Sequence, residues 1–304
     1  QSSFGFEPDL EGITFDFAAG AVTTVPTAEP IEVTRKYTDI LPSFNVKLDL
    51  TDNFLMRFSA NRTMSRPSLT SISPKTTVSA QTLSMTTNNP ELDPFRADNF
   101  DITAEYYFEE GGAINVGYFY KDIVSLVETK SDTVILNVLH VNTNESVPTE
   151  FSRSQLVNDK GMAVNGVELS YQQPFDFMLE GLGVLTNYTF VEPLGDAILQ
   201  GNSKHNYTVS GYYETDVVGA RLTYTYRDGY FVKFESGSRD DVFADAYGTL
   251  DATLSYSINE NFTLTFDATN LLEELNIQRF QPIDLPYDTS DSGRRFSLGV
   301  RATF

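Results

Sequence analysis

The chain has 304 residues, with 42 acidic against 21 basic side chains and a formal charge of -21, an excess that electrostatically opposes nucleic acid and anionic lipid surfaces as partners. Its 23 Phe, 16 Tyr and 19 Gly, with no Cys or Trp, favour strands and turns over helices and exclude a disulfide framework or a thiolate metal site. No run of eighteen apolar residues occurs, which excludes a transmembrane helix but leaves open a membrane barrel, whose signal is weak per segment.

Residues 1–33, with Gly20, Pro26 and Pro30, read as an extracellular loop, with the tail of a preceding strand around 13–17. No basic and apolar leader opens the chain, so any signal peptide is expected to have been removed or to lie upstream. Period-two alternation then predicts eleven strands, at 44–50, 54–60, 100–108, 114–120, 167–171, 184–190, 207–213, 218–226, 250–258, 262–268 and 296–304. In the last of them Phe296, Leu298, Val300, Ala302 and Phe304 alternate with Arg295, Ser297, Gly299, Arg301 and Thr303. The strands at 250–258 and 262–268 flank Asn259-Glu260-Asn261 and predict a tight hairpin.

The connections alternate in length. Short ones fall at 51–53, 109–112, 174–183, 214–217 and 259–261, and long polar ones at 66–95, 126–161, 192–204, 228–246 and 272–294. Membrane barrels of bacteria have this asymmetry, with short periplasmic turns and long extracellular loops. Counting backward from a last strand that ends in the periplasm, every second connection is a long one, five times out of five.

Charge placement separates membrane from water. Lys47, Asp49, Arg57, Asp101, Glu105, Glu168, Arg221, Asp251, Asp267 and Arg301 all fall on the polar parity, and Arg62 departs from it only near a strand end. A Lys or Arg facing lipid at mid-depth would cost about 2 to 4 kcal/mol. Phe108, Tyr213, Tyr256 and Phe262 gather beside the short turns, and Phe100, Tyr120, Phe190 and Phe296 toward the long loops, as two aromatic girdles would. A soluble β-sandwich also alternates, but would have turns of similar size at both ends. The fold class is therefore all-β, a transmembrane antiparallel β-barrel. Eleven is odd, whereas bacterial single-chain barrels carry an even number of strands, and an open sheet in lipid leaves unpaired edges. A further part of the barrel is expected on the same polypeptide or on another chain.

Several stretches carry a family resemblance. Arg62-Thr63-Met64-Ser65-Arg66-Pro67-Ser68-Leu69 and Asn89-Pro90-Glu91-Leu92-Asp93-Pro94-Phe95-Arg96-Ala97-Asp98-Asn99-Phe100 resemble the barrel of TonB-dependent receptors, especially proteobacterial ones with oligosaccharide-type substrates. Asn165-Gly166-Val167-Glu168, Ser203-Lys204-His205-Asn206, Tyr226-Arg227-Asp228, Asn270-Leu271 and Gly293-Arg294-Arg295-Phe296 extend the likeness. The resemblance implies that residues 34–304 are the C-terminal half of a 22-stranded barrel. It also implies an amino-terminal plug and a TonB-contacting segment, neither of which is in this sequence. Phe304 looks like the signal read by the outer-membrane assembly machinery, or an interfacial anchor.

Nothing argues for catalysis, a cofactor or a metal site: there are two histidines, His140 and His205, and no H-E-x-x-H spacing. Carboxylate pairs such as Asp240-Asp241 and Glu109-Glu110 lie in connections and read as solvated turn residues. Ligand binding is the better reading, through loop and upper-lumen residues that combine planar donors, carboxylates and rings: Arg66, Asn88, Asn89, Arg96, Asp228, Tyr230 and Phe231. Arg66 and Arg96 could instead pair with lumen acids such as Asp98. The expected function is TonB-dependent uptake of a scarce nutrient, an oligosaccharide by family likeness, across the outer membrane of a Gram-negative cell. The alternatives are a siderophore or other metal-chelate receptor, a passive substrate-specific porin, and a non-transport surface barrel. Expected partners are outer-membrane lipid and lipopolysaccharide, the rest of the barrel and plug, the TonB complex and a small-molecule ligand, with no nucleic acid.

Overall fold

The computed structural model describes residues 2–8, 14–16, 21–24, 28–79, 82–140, 145–195, 197–233 and 241–303. In chain order the elements are β1 (Ser2–Pro8), β2 (Thr14–Asp16), β3 (Ala21–Thr24), β4 (Ala28–Thr34), β5 (Ser43–Asp49) and β6 (Phe54–Ser65). A single helical turn α1 (Leu69–Ile72) precedes β7 (Thr76–Ser79), β8 (Ser84–Thr87), β9 (Phe95–Tyr107), β10 (Ala113–His140), β11 (Glu145–Pro174) and β12 (Leu182–Pro193). There follow β13 (His205–Glu214), β14 (Val218–Arg227), β15 (Tyr230–Lys233), β16 (Asp241–Ala244) and β17 (Tyr247–Ser257). The chain finishes with β18 (Phe262–Thr269), β19 (Asn276–Gln281), β20 (Leu285–Ser290) and β21 (Arg295–Ala302). Two compact units form, one from residues 1–42, 61–98 and 122–162, the other from 43–60, 99–121 and 163–304.

The second unit contains the predicted sheet. Its strands lie in the order β21-β18-β17-β14-β13-β12-β11-β10-β9-β6-β5, eleven in all, each beside its neighbour in sequence once the short strands β7, β8, β15, β16, β19 and β20 are set aside. Registers carry the two-faced pattern from strand to strand. Ala220 opposes Leu254, Leu254 opposes Phe266 and Phe266 opposes Leu298. On the alternate positions Thr223 opposes Asp251, Thr253 opposes Asp267 and Asp267 opposes Ser297. A slip of one residue would move a strand's whole apolar set to the other face, and the pairings from β11 through β21 run without one.

Among the described residues nothing covers the large side chains of the apolar face. Leu222, Leu254, Leu298 and Val300 are 51%, 49%, 80% and 66% exposed, and they form continuous rows. Exposed apolar rows of this extent are a liability in water and the ordinary surface of a barrel in lipid. Aromatic pairs sit at both margins: Tyr106–Phe108 and Phe108–Tyr171 beside the short turn at 109–112, and Phe100–Tyr120 and Phe266–Phe296 at the other end. Backbone chemistry tightens the turns. Gly111 and Gly181 have φ of +80° and +81°, a region costly for residues with a Cβ. At Asn259-Glu260-Asn261 the Asn259 carboxamide oxygen accepts from the backbone of Asn261 and Phe262, both at 3.0 Å.

Four of the five long connections, at 66–95, 126–161, 228–246 and 272–294, contain paired strands where loops were expected. Strands β10 and β11 run to 28 and 30 residues, so most of 126–161 is paired strand. Outside a bilayer both faces of a ribbon can be polar, and 121–162 mixes Lys, Asp, Glu, Ser and Thr on both parities; the alternation that marks the barrel strands is therefore lost although the pairing continues. In the first unit Met85, Val138 and Phe151 make a small core under Val78, Leu83, Val134 and Leu136, with β7 paired to β8 and β8 to β11. Likewise, parts of 228–246 and 272–294 form a four-stranded sheet, β15-β16-β19-β20, closed around Phe231, Val242 and Ala244. Residues 2–34 contain two strand pairs, β1 with β4 and β2 with β3.

Candidate ligand-binding site

The sequence singled out seven residues, which fall into two groups, one in each unit. In the first unit Asn88 and Asn89 are engaged by the chain around them. The Asn88 carboxamide donates to the Thr70 carbonyl at 2.8 Å and to Ser73 Oγ at 3.2 Å, pinning α1, whose first turn is capped by Ser68. The Asn89 side chain donates to the Leu156 carbonyl and accepts from the Glu91 backbone, both at 2.9 Å. Such turn-forming bonds are a second use of Asn that sequence shares with ligand contact. Arg96 donates to Asp39 at 2.5 Å and holds its charge more firmly for that contact. Asp98 pairs with Arg62 through two bonds of 2.6 Å, a bidentate geometry that pulls the Asp98 carboxyl below its ordinary range. Thus Arg62, rather than Arg66 or Arg96, takes Asp98, and its departure from the parity is answered by an ion pair. Arg66 is exposed and makes no ion pair among the described residues.

In the second unit Asp228, Tyr230 and Phe231 follow β14. The Asp228 carboxylate accepts from the Gly229 backbone at 3.0 Å. Tyr230 lies under the Arg227 guanidinium, 3.8 Å from ring centroid to Cζ, while Arg227 donates to Ser203 Oγ at 2.7 Å. Phe231 is buried and packs edge-to-face on Phe243 at 5.3 Å, so its ring serves the small sheet. Phe304 lies outside the described residues.

A recess on the polar face of the second unit was not singled out by sequence. It encloses about 300 Å³ and is lined by Asp101, Thr103, Gly117, Phe119, Lys121 and Glu168 among others. Phe119 breaks the polar parity, and the reason is local. A Cβ at Gly166 would come within 2.4 Å of Phe119 Cζ, so the ring lies on bare backbone that only glycine leaves open. An aromatic on the polar parity of one strand, with glycine on the polar parity of the next, is the signal that could have found it.

The sequence matches the family described as TonB dependent receptor-like, beta-barrel, over residues 12–271. The chain belongs to that family. Among solved structures it is similar to a mutant of the ferric enterobactin receptor PfeA from Pseudomonas aeruginosa, at 17% identity and TM-score 0.66, over 87% of this chain and 40% of that one. The siderophore receptor PirA from Acinetobacter baumannii aligns at 14% identity and TM-score 0.65, over 87% and 41% of the two chains. The ferric-catecholate import receptor Fiu from K12 E. coli aligns at 16% and 0.64, over 96% and 40%. At these identities the likeness is one of fold. The chain spans about two fifths of the length of those structures. No curated protein matches it.

Proposed function

We propose that this chain is the C-terminal portion of an outer-membrane receptor that takes up a scarce nutrient of oligosaccharide type, with TonB acting through a plug supplied elsewhere in the protein. In this reading residues 1–33 are an extracellular connection and 34–304 the barrel. Lipid and lipopolysaccharide meet the apolar face, and the polar face lines the lumen. Arg66, Asp228 and Tyr230 reach the ligand, while Asn88, Asn89, Arg96 and Phe231 shape the loops that carry them. The role is binding and transport, without chemistry on the ligand.

The observation that carries the choice of nutrient is electrostatic. None of the five long connections has a net positive charge, and those at 228–246 and 272–294 are net acidic. A ferric catecholate is an anion, and a mouth of that sign would repel it; a neutral sugar is indifferent to the field and is held by hydroxyl and ring contacts. A second reading, a siderophore receptor, is favoured by the names of the similar solved structures given above. Uptake of radiolabelled neutral oligosaccharides and of a ferric catecholate by cells carrying the full-length receptor, with and without an uncoupler, tests both. Sugar uptake abolished by the uncoupler is the expected result. Ferric-catecholate uptake alone would replace the main reading by the second, and sugar uptake indifferent to the uncoupler would make the protein a passive channel.

A further inference from the structure

We infer that the lumen wall at Asp101, Thr103, Phe119, Lys121 and Glu168 is a subsite for one neutral pyranose unit of the imported ligand, an inference that rests on the oligosaccharide reading above. Within the segments predicted to cross the bilayer, 100–108 and 114–120, the recess lies in the half away from the short turn at 109–112, and β10 continues well beyond it to His140. Its volume of about 300 Å³ is at the small end of ligand pockets and suits a single ring.

Three features together suit this patch to a ligand. The first is a rigid apolar platform. Phe119, with one end of its ring against the Gly166 backbone, offers the surface on which the C–H face of a sugar lies. The second is room. At Gly117 an added Cβ would have no neighbour nearer than 4.0 Å, where Glu168 Cβ and Thr103 Cγ2 stand, so the floor is open. The third is unspent hydrogen-bonding capacity. Some charges elsewhere on the polar face pair, as Arg57 with Glu105, Lys47 with Asp49 and Arg221 with Glu214, while Asp251, Asp267 and Arg301 make no ion pair among the described residues. Asp101, Lys121 and Glu168 make no ion pair among the described residues.

Two carboxylates beside an ammonium and a hydroxyl offer both acceptors and donors, and vicinal sugar hydroxyls require both. The excess of one carboxylate disfavours an anion. The acids do not converge on a cation either, because no group of three potential metal ligands occurs among the described residues.

The test uses the full-length receptor in detergent and isothermal titration with defined gluco-, manno- and xylo-oligosaccharides, together with a ferric catecholate. Gly117→Leu fills the recess, Phe119→Ala removes the platform, and Asp101→Asn removes one charge at constant shape. The expected result is that at least one oligosaccharide binds the natural receptor, and that Gly117→Leu and Phe119→Ala each weaken it at least about tenfold with the melting temperature kept. Binding that is unchanged in both variants overturns the subsite while leaving the oligosaccharide reading intact. A fall in melting temperature with unchanged sugar affinity makes the patch a packing surface and overturns it too. Should none of the sugars bind, whether or not the ferric catecholate does, the oligosaccharide reading fails and the subsite with it.

Discussion

Replacing Leu254 by Arg tests the reading of the two faces at the position where they differ most. Leu254 is 49% exposed and stands between Ala220 and Phe266 on the apolar face. It is five residues from Asn259, which opens a short turn. A rise of about 3.4 Å per residue and a tilt near 45° put it roughly 12 Å inside the turn, the middle of an apolar band about 25 Å tall. Arginine there costs about 2 to 4 kcal/mol, or roughly 30- to 700-fold in the folded-to-unfolded ratio. Ser255 points the opposite way, beside Gly219 and in an open recess of about 490 Å³ that Glu214 also lines. Ser255→Arg is therefore expected to change stability by less than about 1 kcal/mol. Reversible urea unfolding of the full-length receptor in lipid vesicles measures both. Equal costs for the two neighbours would refute the assignment of faces, because only a sheet with the same surroundings on both faces treats them alike.

Other outcomes follow from the loops. Phe151, fully buried in the first unit, is expected to cost about 3 to 5 kcal/mol as Phe151→Ala, read as lost hydrogen-exchange protection in 122–162 with the barrel strands unchanged. Asn88→Ala removes two bonds that hold α1 and is expected to raise exchange in 68–75, with ligand affinity altered only through that loosening. Hydrogen bonds from Arg153 and Lys130 hold the Asp132 and Asp159 carboxyls below their ordinary range. A carboxylate lowered in this way stabilises fully above its ordinary value near 4 and loses that contribution as pH falls through the lowered one. Exchange protection of the β10–β11 ribbon should accordingly be flat from pH 8 to about 5 and decline in stronger acid.

The eleven barrel strands were legible because lipid imposes period two: each must be apolar at every second residue, and Leu250 through Ile258 or Phe296 through Val300 could scarcely read otherwise. Beyond the bilayer that constraint lapses. The long extensions of β10 and β11 and the small sheet around Phe231 are held by pairing and by a few buried side chains, such as Val138 and Val242, and single sequences show such long-range pairings poorly. Site residues were harder for another reason. Asn88, Asn89 and Arg96 have the chemistry of ligand contacts and of loop fasteners alike, and only geometry separates the two. Phe119 was hidden because an aromatic side chain inside an apolar-looking run reads as one more strand residue until Gly166 is known to lie beneath it.

Whether alternate side chains of the sheet face lipid is read directly from the accessibility of successive positions along β17. These 304 residues contain no cysteine, so single cysteines at residues 249 through 256 of the full-length receptor, with any cysteine outside this stretch replaced by serine, can carry spin labels in outer-membrane vesicles. Labels at Leu250, Ala252, Leu254 and Tyr256 are expected to collide with lipid-dissolved oxygen and to be shielded from a water-soluble nickel chelate. Those at Thr249, Asp251, Thr253 and Ser255 should show the reverse. Chelate access at every position, or no alternation, would contradict the assignment of faces.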